Sequence, residues 1–206
     1  MKVSLTDAGK RFNRDWIFRH INYKFEEGNS YAIVGPNGSG KSTLLQVLSG
    51  SMHVNEGNVQ YSMLNGQYSS EEIFSRVAIC APYLEVVEEM TVKELLEFHH
   101  QFKPFISSVT IQSIISIVGL EAAVHKQIRY YSSGMKQRVK LAQAIFSDVP
   151  ILLLDEPCTN LDLTGIELYH RLINDYCKNR LVIVSSNDEV EYRFCRERIN
   201  ISDYKK

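Results

Sequence analysis

Hydrophobic and polar residues alternate in short bursts over the first 30 residues, as in Val3-Ser4-Leu5 and Ile21-Asn22-Tyr23-Lys24-Phe25. Alternation with a period of two is typical of strands with one buried face, so it predicts antiparallel strands and hairpins. Two later runs, Ile151-Leu152-Leu153-Leu154 and Leu181-Val182-Ile183-Val184, are continuously apolar. Such runs are typical of parallel strands buried on both faces. The pattern therefore predicts an α/β fold that combines an antiparallel N-terminal part with a mainly parallel core sheet.

Apolar residues at helical spacing predict helices between these strands. Thr91 and Glu94 fit a capping box at the start of one helix, and a second periodic stretch ends at Gly119, which is typical of a helix C-terminus. We therefore expect a single domain over residues 1–206, with a small helical subdomain inserted at about 85–140.

The segment between a short apolar run and the first helical pattern fits the phosphate-binding motif G-x-x-x-x-G-K-S/T. Its residues, all candidates for nucleotide binding, are Gly35, Pro36, Asn37, Gly38, Ser39, Gly40, Lys41, Ser42 and Thr43. The glycines let the backbone aim several N–H groups at one phosphate, next to the positive end of the following helix. Lys41 would place its charge on the β- and γ-phosphates, and Ser42 would offer an oxygen to Mg²⁺. The alternative is an ordinary glycine-rich turn.

Two carboxylates, Asp155 and Glu156, end the first continuous apolar run. In open α/β sheets, ligands bind at the C-terminal edge of the strands. Asp155 is therefore a candidate Mg²⁺ ligand, and Glu156 is a candidate base that orients or deprotonates a water molecule attacking the γ-phosphate. Alone, these residues would indicate little, but together with the phosphate loop they predict a nucleotide hydrolase.

Charge and composition argue against several partners. The 23 Lys and Arg residues are balanced by 24 Asp and Glu, so no basic excess indicates nucleic acid and no polybasic run indicates a lipid surface. The four cysteines show no C-x-x-C pair, which argues against a zinc site or a disulfide framework. No signal-peptide pattern is found, and the apolar runs are too short to cross a bilayer. We expect a cytoplasmic protein that reaches a membrane through a partner.

Two further features have competing interpretations. Ser132 is a natural N-cap, and its helix terminus would offer a second anion site, although a capped helix alone explains it. Phe12 or Trp16 could lay its ring against an adenine base, and the alternative is packing between strands.

In combination, these motifs resemble the ATP-binding cassette family, in the small form that serves as the ATPase subunit of a membrane transporter. Residues 35–43 match its phosphate loop and 151–156 its acidic strand, and Tyr131 to Met135 resembles its Leu-Ser-Gly-Gly-Gln signature, keeping Ser132 and Gly134. Phe12 falls where the family places its adenine-stacking aromatic residue. The resemblance covers essentially the whole chain. It implies a P-loop NTPase fold with an N-terminal antiparallel β subdomain and an inserted helical subdomain.

The resemblance also implies two cassettes that close head to tail around ATP and Mg²⁺. The phosphate loop and the two carboxylates would act on ATP bound to their own chain, whereas Ser132 and Gly134 would contact ATP bound to the other cassette. The implied partners are a second cassette, identical or different, and separate membrane-spanning subunits, at the cytoplasmic face of the membrane and with no nucleic acid. The chain is similar in length to the small ATPases of exporter-type systems. The resemblance does not specify the substrate or the direction of transport.

Two positions depart from the family pattern. Tyr83 stands in place of a glutamine, and a protonated phenol is a poor Mg²⁺ ligand. Asn187 stands in place of a histidine, and its amide can hydrogen-bond a γ-phosphate but cannot carry a proton. We expect these departures to affect ATP binding little and to bear on the rate of hydrolysis and its coupling to transport. Because Glu156 is present, we expect an active ATPase that is slow or dependent on its partner.

Two alternative functions stay open. One is a non-transport cassette that acts on ribosomes or DNA, although relatives of that class join two cassettes in one chain or carry long coiled coils, and neither is found here. The other is a catalytically weak nucleotide-binding regulatory module, which Tyr83 and Asn187 would suit.

Overall fold

The computed structural model describes residues 1–63, 66–69 and 71–205, which divide into two compact units. The first unit comprises Met1–Ile79, Pro150–Glu156 and Asn179–Lys206, and the second comprises Cys80–Val149 and Pro157–Lys178. The predicted 1–206 domain also includes Leu64, Asn65, Ser70 and Lys206, which lie outside the described residues.

The strands belong almost entirely to the first unit. They are β1 (Lys2–Phe12), β2 (Asp15–Glu26), β3 (Ser30–Val34), β4 (Glu56–Met63), β5 (Gly66–Tyr68), β6 (Val77–Cys80), β7 (Ile151–Asp155), β8 (Leu181–Ser185) and β9 (Glu197–Asn200). Within the described residues they form two sheets, with the orders β2-β1-β4-β5 and β6-β7-β8-β3-β9. The first sheet is antiparallel, and in the second the pairs β7/β8, β8/β3 and β3/β9 are parallel. The predicted α/β architecture is confirmed.

The core of the first unit lies against one face of the parallel sheet. Alternate residues of β7 and β8, among them Leu153 and Ile183, join a buried cluster with Leu44 and Leu48. The last two belong to α1 (Lys41–Leu48), which packs on β7 and β8. This packing places the N-terminus of α1, where the phosphate loop ends, near the carboxyl ends of the strands.

Helices dominate the second unit. They are α2 (Val92–Phe102), α3 (Ile111–Ile117), α4 (Ser133–Phe146) and α5 (Leu163–Tyr176), and the short α6 (Glu189–Tyr192) belongs to the first unit. The capping box of Thr91 and Glu94 is present at the start of α2, as predicted. The predicted helical subdomain at about 85–140 falls within the second unit, which also includes α5. None of the helices in the described ranges is both long and apolar enough to cross a membrane.

Candidate nucleotide-binding site

The phosphate loop connects β3 to α1 and ends at Gly40, where any residue with a side chain would introduce backbone strain. Gly40, the N-cap of α1, has φ 106° and provides no side-chain cap. A Cβ atom added to Gly40 would lie 2.3 Å from Cγ2 of Ile17. Because Gly40 makes no side-chain cap hydrogen bond at this terminus, the first N–H groups of α1 can bind an anion.

Lys41 is the charged residue of the loop. Its side chain is 5% exposed, and its Nζ donates hydrogen bonds to the carbonyl oxygens of Gly35 at 2.9 Å and Pro36 at 3.3 Å. These bonds hold the ammonium group against the backbone of the loop. A positive charge and the open helix terminus therefore belong to the same short segment.

A cleft of about 230 Å³ lies over this segment. It is lined by Ile17, Asn37, Gly38, Ser39, Gly40, Lys41, Ser42, Thr43 and Glu156. The structure thus brings Glu156 to the phosphate loop, although more than 100 residues separate them in the sequence. Ile17 was not predicted, because an apolar strand residue gives no signal of a binding role.

The two predicted carboxylates have different environments. Asp155 ends β7 and is 2% exposed, and its Oδ1 has no hydrogen-bond partner within the part of the chain that the structure describes. Glu156 has φ 43°, a left-handed conformation that is unusual for a residue with a side chain. Its backbone N–H donates to the carbonyl oxygen of Ser185 at 2.9 Å. This turn leaves Asp155 in the interior, while Glu156 lines the cleft.

Asn187 lies beside the phosphate loop. Its Nδ2 donates a hydrogen bond to Oδ1 of Asn37 at 2.6 Å. The structure therefore brings together the phosphate loop, Glu156 and Asn187, which the sequence supplies from three separate segments.

The aromatic candidates differ in their surroundings. Phe12, at the end of β1, is 47% exposed, and Nζ of Lys10 lies 5.5 Å from its ring centroid. Trp16 is flanked by the guanidinium group of Arg19, 4.2 Å from its ring centroid, and by Gly9. Packing between strands therefore accounts for Trp16. Phe12 does not line the cleft of about 230 Å³, and its exposed ring leaves a base-stacking role as a prediction.

The remaining predicted residues belong to the second unit. Ser132 caps α4, because its Oγ accepts a hydrogen bond from the N–H of Met135 at 3.2 Å. Gly134 lies in the first turn of α4, where an added Cβ would lie 3.0 Å from the carbonyl oxygen of Asn160. Tyr83 is 46% exposed. Ser132 and Gly134 are thus in a different unit from the phosphate loop.

A family model and several curated proteins are similar to this chain in sequence. A family model described as ABC transporter matches residues 18–159. The uncharacterized ABC transporter ATP-binding protein YybJ of Bacillus subtilis is 30% identical over 188 residues, which are 90% of this chain and 85% of YybJ. The bacitracin transport ATP-binding protein BcrA of Bacillus licheniformis is 28% identical over 182 residues, which are 88% of this chain and 60% of BcrA.

Among solved structures, the fold is similar to that of MJ0796, described as a bacterial ABC transporter cassette in a dimeric structure. The TM-score is 0.81 at 21% identity, covering 97% of this chain and 94% of the other. The chain spans between 51% and 85% of the length of the first relatives it matches. The structural likeness supports the predicted P-loop NTPase fold.

Proposed function

The chain belongs to the ABC transporter family, as an ATP-binding protein of the ATP hydrolase class, and we propose that its turnover energises transport through separate membrane-spanning chains. The observation that carries the catalytic part of this proposal is the cleft shared by the phosphate loop and Glu156. A phosphate-binding loop and a carboxylate in one cleft can hold a nucleotide and act on the water that attacks it.

In the proposed site, the backbone N–H groups of residues 35–43 and the Lys41 ammonium group bind the phosphates of ATP. Phe12 offers its exposed ring to the adenine base. The amide of Asn187, held by Asn37, donates a hydrogen bond to the γ-phosphate. Each of these groups orients the nucleotide, which supplies most of the catalysis in phosphoryl transfer.

Ser42 and Asp155 fit a Mg²⁺ site. Asp155 has a buried carboxylate oxygen without a partner among the described residues, and oxygen atoms are the ligands that Mg²⁺ prefers. The described ranges contain no group of three or more His, Cys, Asp or Glu side chains that could hold a metal ion by themselves. This agrees with an ion bound partly by phosphate oxygens. When bound, Mg²⁺ would neutralise charge on the β- and γ-phosphates.

Glu156 is the proposed general base. Its position in the cleft allows its carboxylate to accept a proton from the attacking water, which would be directed at the γ-phosphate held by the loop. Ser132 and Gly134 belong to the second unit, at the N-terminus of α4. We place them against the ATP of a second cassette, which is supported by the dimeric form of the similar structure.

The membrane-spanning partner is proposed to bind the second unit. A cleft of about 310 Å³ there is lined partly by Val87, Phe98 and Phe102, all of which are exposed. Exposed apolar patches of this kind mark contacts with other proteins. The bacitracin relative is named for transport. For this chain we propose a position at the cytoplasmic face of a membrane, where it would energise export by its membrane-spanning partner.

The substitution Glu156→Gln tests the catalytic part of the proposal. We expect ATP binding to be retained and turnover of the chain with its membrane partner to fall at least about 100-fold, the size of a general-base contribution. Glu167→Gln, on an exposed face of α5, is the matched control and should keep wild-type turnover. Equal turnover in Glu156→Gln and wild type would remove Glu156 from this role.

Identification of the bound partner tests the transport part. The tagged protein would be purified from gently solubilised membranes of its own source, and the bound chains identified by mass spectrometry. A stoichiometric multi-spanning membrane protein is expected. Ribosomal proteins or nucleic acid in its place would contradict the proposal, and ATP binding without turnover in the recovered complex would favour a regulatory module.

A further inference from the structure

Strand β8 of the five-stranded sheet ends at a serine whose buried hydroxyl group has no part in the roles proposed above. Ser185, the last residue of β8, is 0% exposed, and its Oγ has no hydrogen-bond partner among the residues that the structure describes. The next residue shows the ordinary use of a serine at such a position, since Oγ of Ser186 accepts from the N–H of Asp188 at 2.9 Å. An unsatisfied buried hydroxyl costs about 1–3 kcal/mol, so its retention calls for a physical reason.

Strand register places Ser185 beside Asp155. The parallel pairing of β7 with β8 aligns Asp155 with Ser185, and the pairing of β3 with β8 aligns Ile33 with Ser185. Aligned residues on parallel neighbours point to the same face of the sheet. Ile33 belongs to the buried cluster that includes residues of α1. Asp155 and Ser185 therefore both point to the face that α1 covers.

This face is the one on which the proposed Mg²⁺ ligands meet. α1 begins at Lys41 and contains Ser42, and it packs on both β7 and β8. Oδ1 of Asp155 and Oγ of Ser185 are both buried, and neither has a partner among the described residues, so they make no direct hydrogen bond to each other. Two adjacent buried oxygens, one of which can donate, are the partners that a bridging water molecule needs.

We propose that Ser185 is a positioning residue for the Mg²⁺ site: its hydroxyl group hydrogen-bonds through one water molecule to Oδ1 of Asp155 and fixes that carboxylate in the orientation that holds the ion. This inference rests on the proposed function, because it assigns Asp155 to the ion. Hydrogen-bonded partners of this kind orient metal ligands and tune metal affinity. A serine without such a role would leave an unsatisfied hydroxyl group, and its removal would then stabilise the protein.

The test compares Ser185→Ala with Ser185→Thr, which keeps the hydroxyl group, in the full chain. Binding of trinitrophenyl-ATP is titrated with Mg²⁺, and separately measured in EDTA, while thermal unfolding reports stability. For Ser185→Ala we expect about a tenfold rise in the Mg²⁺ concentration at half-saturation, with unchanged nucleotide affinity in EDTA. Ser185→Thr should restore the wild-type Mg²⁺ dependence. Ser185→Cys, which has a similar shape and a weaker hydrogen-bonding group, replaces the alanine variant if that variant does not fold.

Asp155→Asn separates this inference from the proposed function. If Asp155→Asn weakens Mg²⁺-dependent binding and Ser185→Ala leaves it unchanged while raising the unfolding temperature, Ser185 is a tolerated unsatisfied group and the inference is overturned. If the wild-type chain binds the nucleotide identically with Mg²⁺ and with EDTA, both the metal part of the proposed function and this inference are overturned.

Discussion

Helix α1 of the first unit begins in a different way from helices α2 to α5 of the second unit, and also from the short α6, which is capped by the side chain of Asp188. In the second unit, side chains of Thr91, Thr110, Ser132 and Asp162 accept hydrogen bonds from the first turns of α2, α3, α4 and α5. In the first unit, α1 begins at Gly40 without any side-chain cap. A cap satisfies backbone N–H groups within the chain, whereas a bare terminus leaves them for a ligand. We therefore expect the caps of α2, α3 and α5 to serve stability, and the missing cap at α1 to leave N–H groups for the phosphates of ATP.

The two clefts also differ in what forms them. The cleft of about 230 Å³ is lined mainly by consecutive residues of one loop. The cleft of about 310 Å³ is lined by residues of three separate segments, namely Glu85, Val86, Val87, Leu95, Phe98, His99, Phe102, Lys103 and Gln143. Phe98 and Phe102 form a T-shaped pair there, with ring centroids 5.0 Å apart. Backbone geometry thus forms the polar cleft, and side-chain packing forms the apolar one.

The largest effect is expected from Gly40→Ala. The added Cβ would meet Cγ2 of Ile17 at 2.3 Å in a left-handed conformation, so both a clash and backbone strain are introduced. We expect the free energy of unfolding to fall by about 3 kcal/mol, measured by urea denaturation, with loss of ATP binding.

Gly38→Ala provides the matched control. Gly38 also has a positive φ, 72°, but an added Cβ would have no atom of the described residues within 4 Å. Only the backbone strain, about 1 kcal/mol, should appear. The double variant Ile17→Ala/Gly40→Ala should recover part of the lost stability; equal losses in both glycine variants would show that the contact with Ile17 is unimportant.

The difference between the two clefts also explains what could be predicted from the sequence. The phosphate loop needs glycines and a lysine at fixed spacing, because its backbone forms the site, and the sequence displays that spacing directly. The capping box at Thr91 was predicted for the same reason. Ile17 could not be predicted, since its role depends on a strand packing against Gly40.

Longer-range features were predicted only in part. The approach of Glu156 to the loop follows from parallel strand order, for which the continuous apolar runs are a signal. The second cleft was not predicted, because α2 and Gln143 of α4 approach each other only in the folded chain. The hydroxyl group of Ser185, which has no partner in the described part of the chain, was also missed, since a serine that ends a strand looks like any polar residue at a sheet edge.

The next prediction concerns the apolar cleft of about 310 Å³ in the second unit. In Phe98→Ser/Phe102→Ser we expect recovery of the membrane partner to fall about tenfold, since exposed aromatic residues often dominate binding energy. ATP affinity should be unchanged, because neither residue lines the nucleotide cleft. Phe74→Ser, at an exposed phenylalanine of the first unit, is the control. An equal loss of partner in the control would mean that the cleft is not the docking surface.

The third prediction tests whether the caps of the second unit are structural. Thr91→Ala removes the hydroxyl group that accepts from the N–H of Glu94, and the free energy of unfolding should fall by about 1 kcal/mol. ATP affinity should stay at the wild-type value. Glu94→Gln keeps a side chain that can complete the box, so it should be nearly neutral in urea denaturation. A large change in ATP affinity in Thr91→Ala would contradict the proposed division between capped and bare termini.

A half-buried histidine at the apolar cleft, His99, has a defined tautomer. Oγ of Ser147 donates to the carbonyl oxygen of Gln143 at 2.6 Å, so it must accept from Nε2 of His99, which lies 2.8 Å away. Nδ1 of His99 then accepts from Nε2 of Gln143 at 3.4 Å. Burial lowers the pKa of His99 to about 4, and the nearby charges of Lys103 and His100 act in the same direction. The fold therefore favours the neutral imidazole.

The last expected effect, similar in size to that of Thr91→Ala, is the pH dependence of stability that follows from this neutral histidine. Between pH 6.5 and about 4, the unfolded chain binds a proton at His99 that the folded chain does not bind. Stability is therefore lost as the pH falls through this window. After allowance for partial exposure, wild type should lose about 1 kcal/mol more than His99→Gln in urea denaturation at successive pH values. His125→Gln, at an exposed histidine of the same unit, should follow wild type. If His99→Gln also follows wild type, the burial of a neutral histidine does not limit the acid stability of this unit.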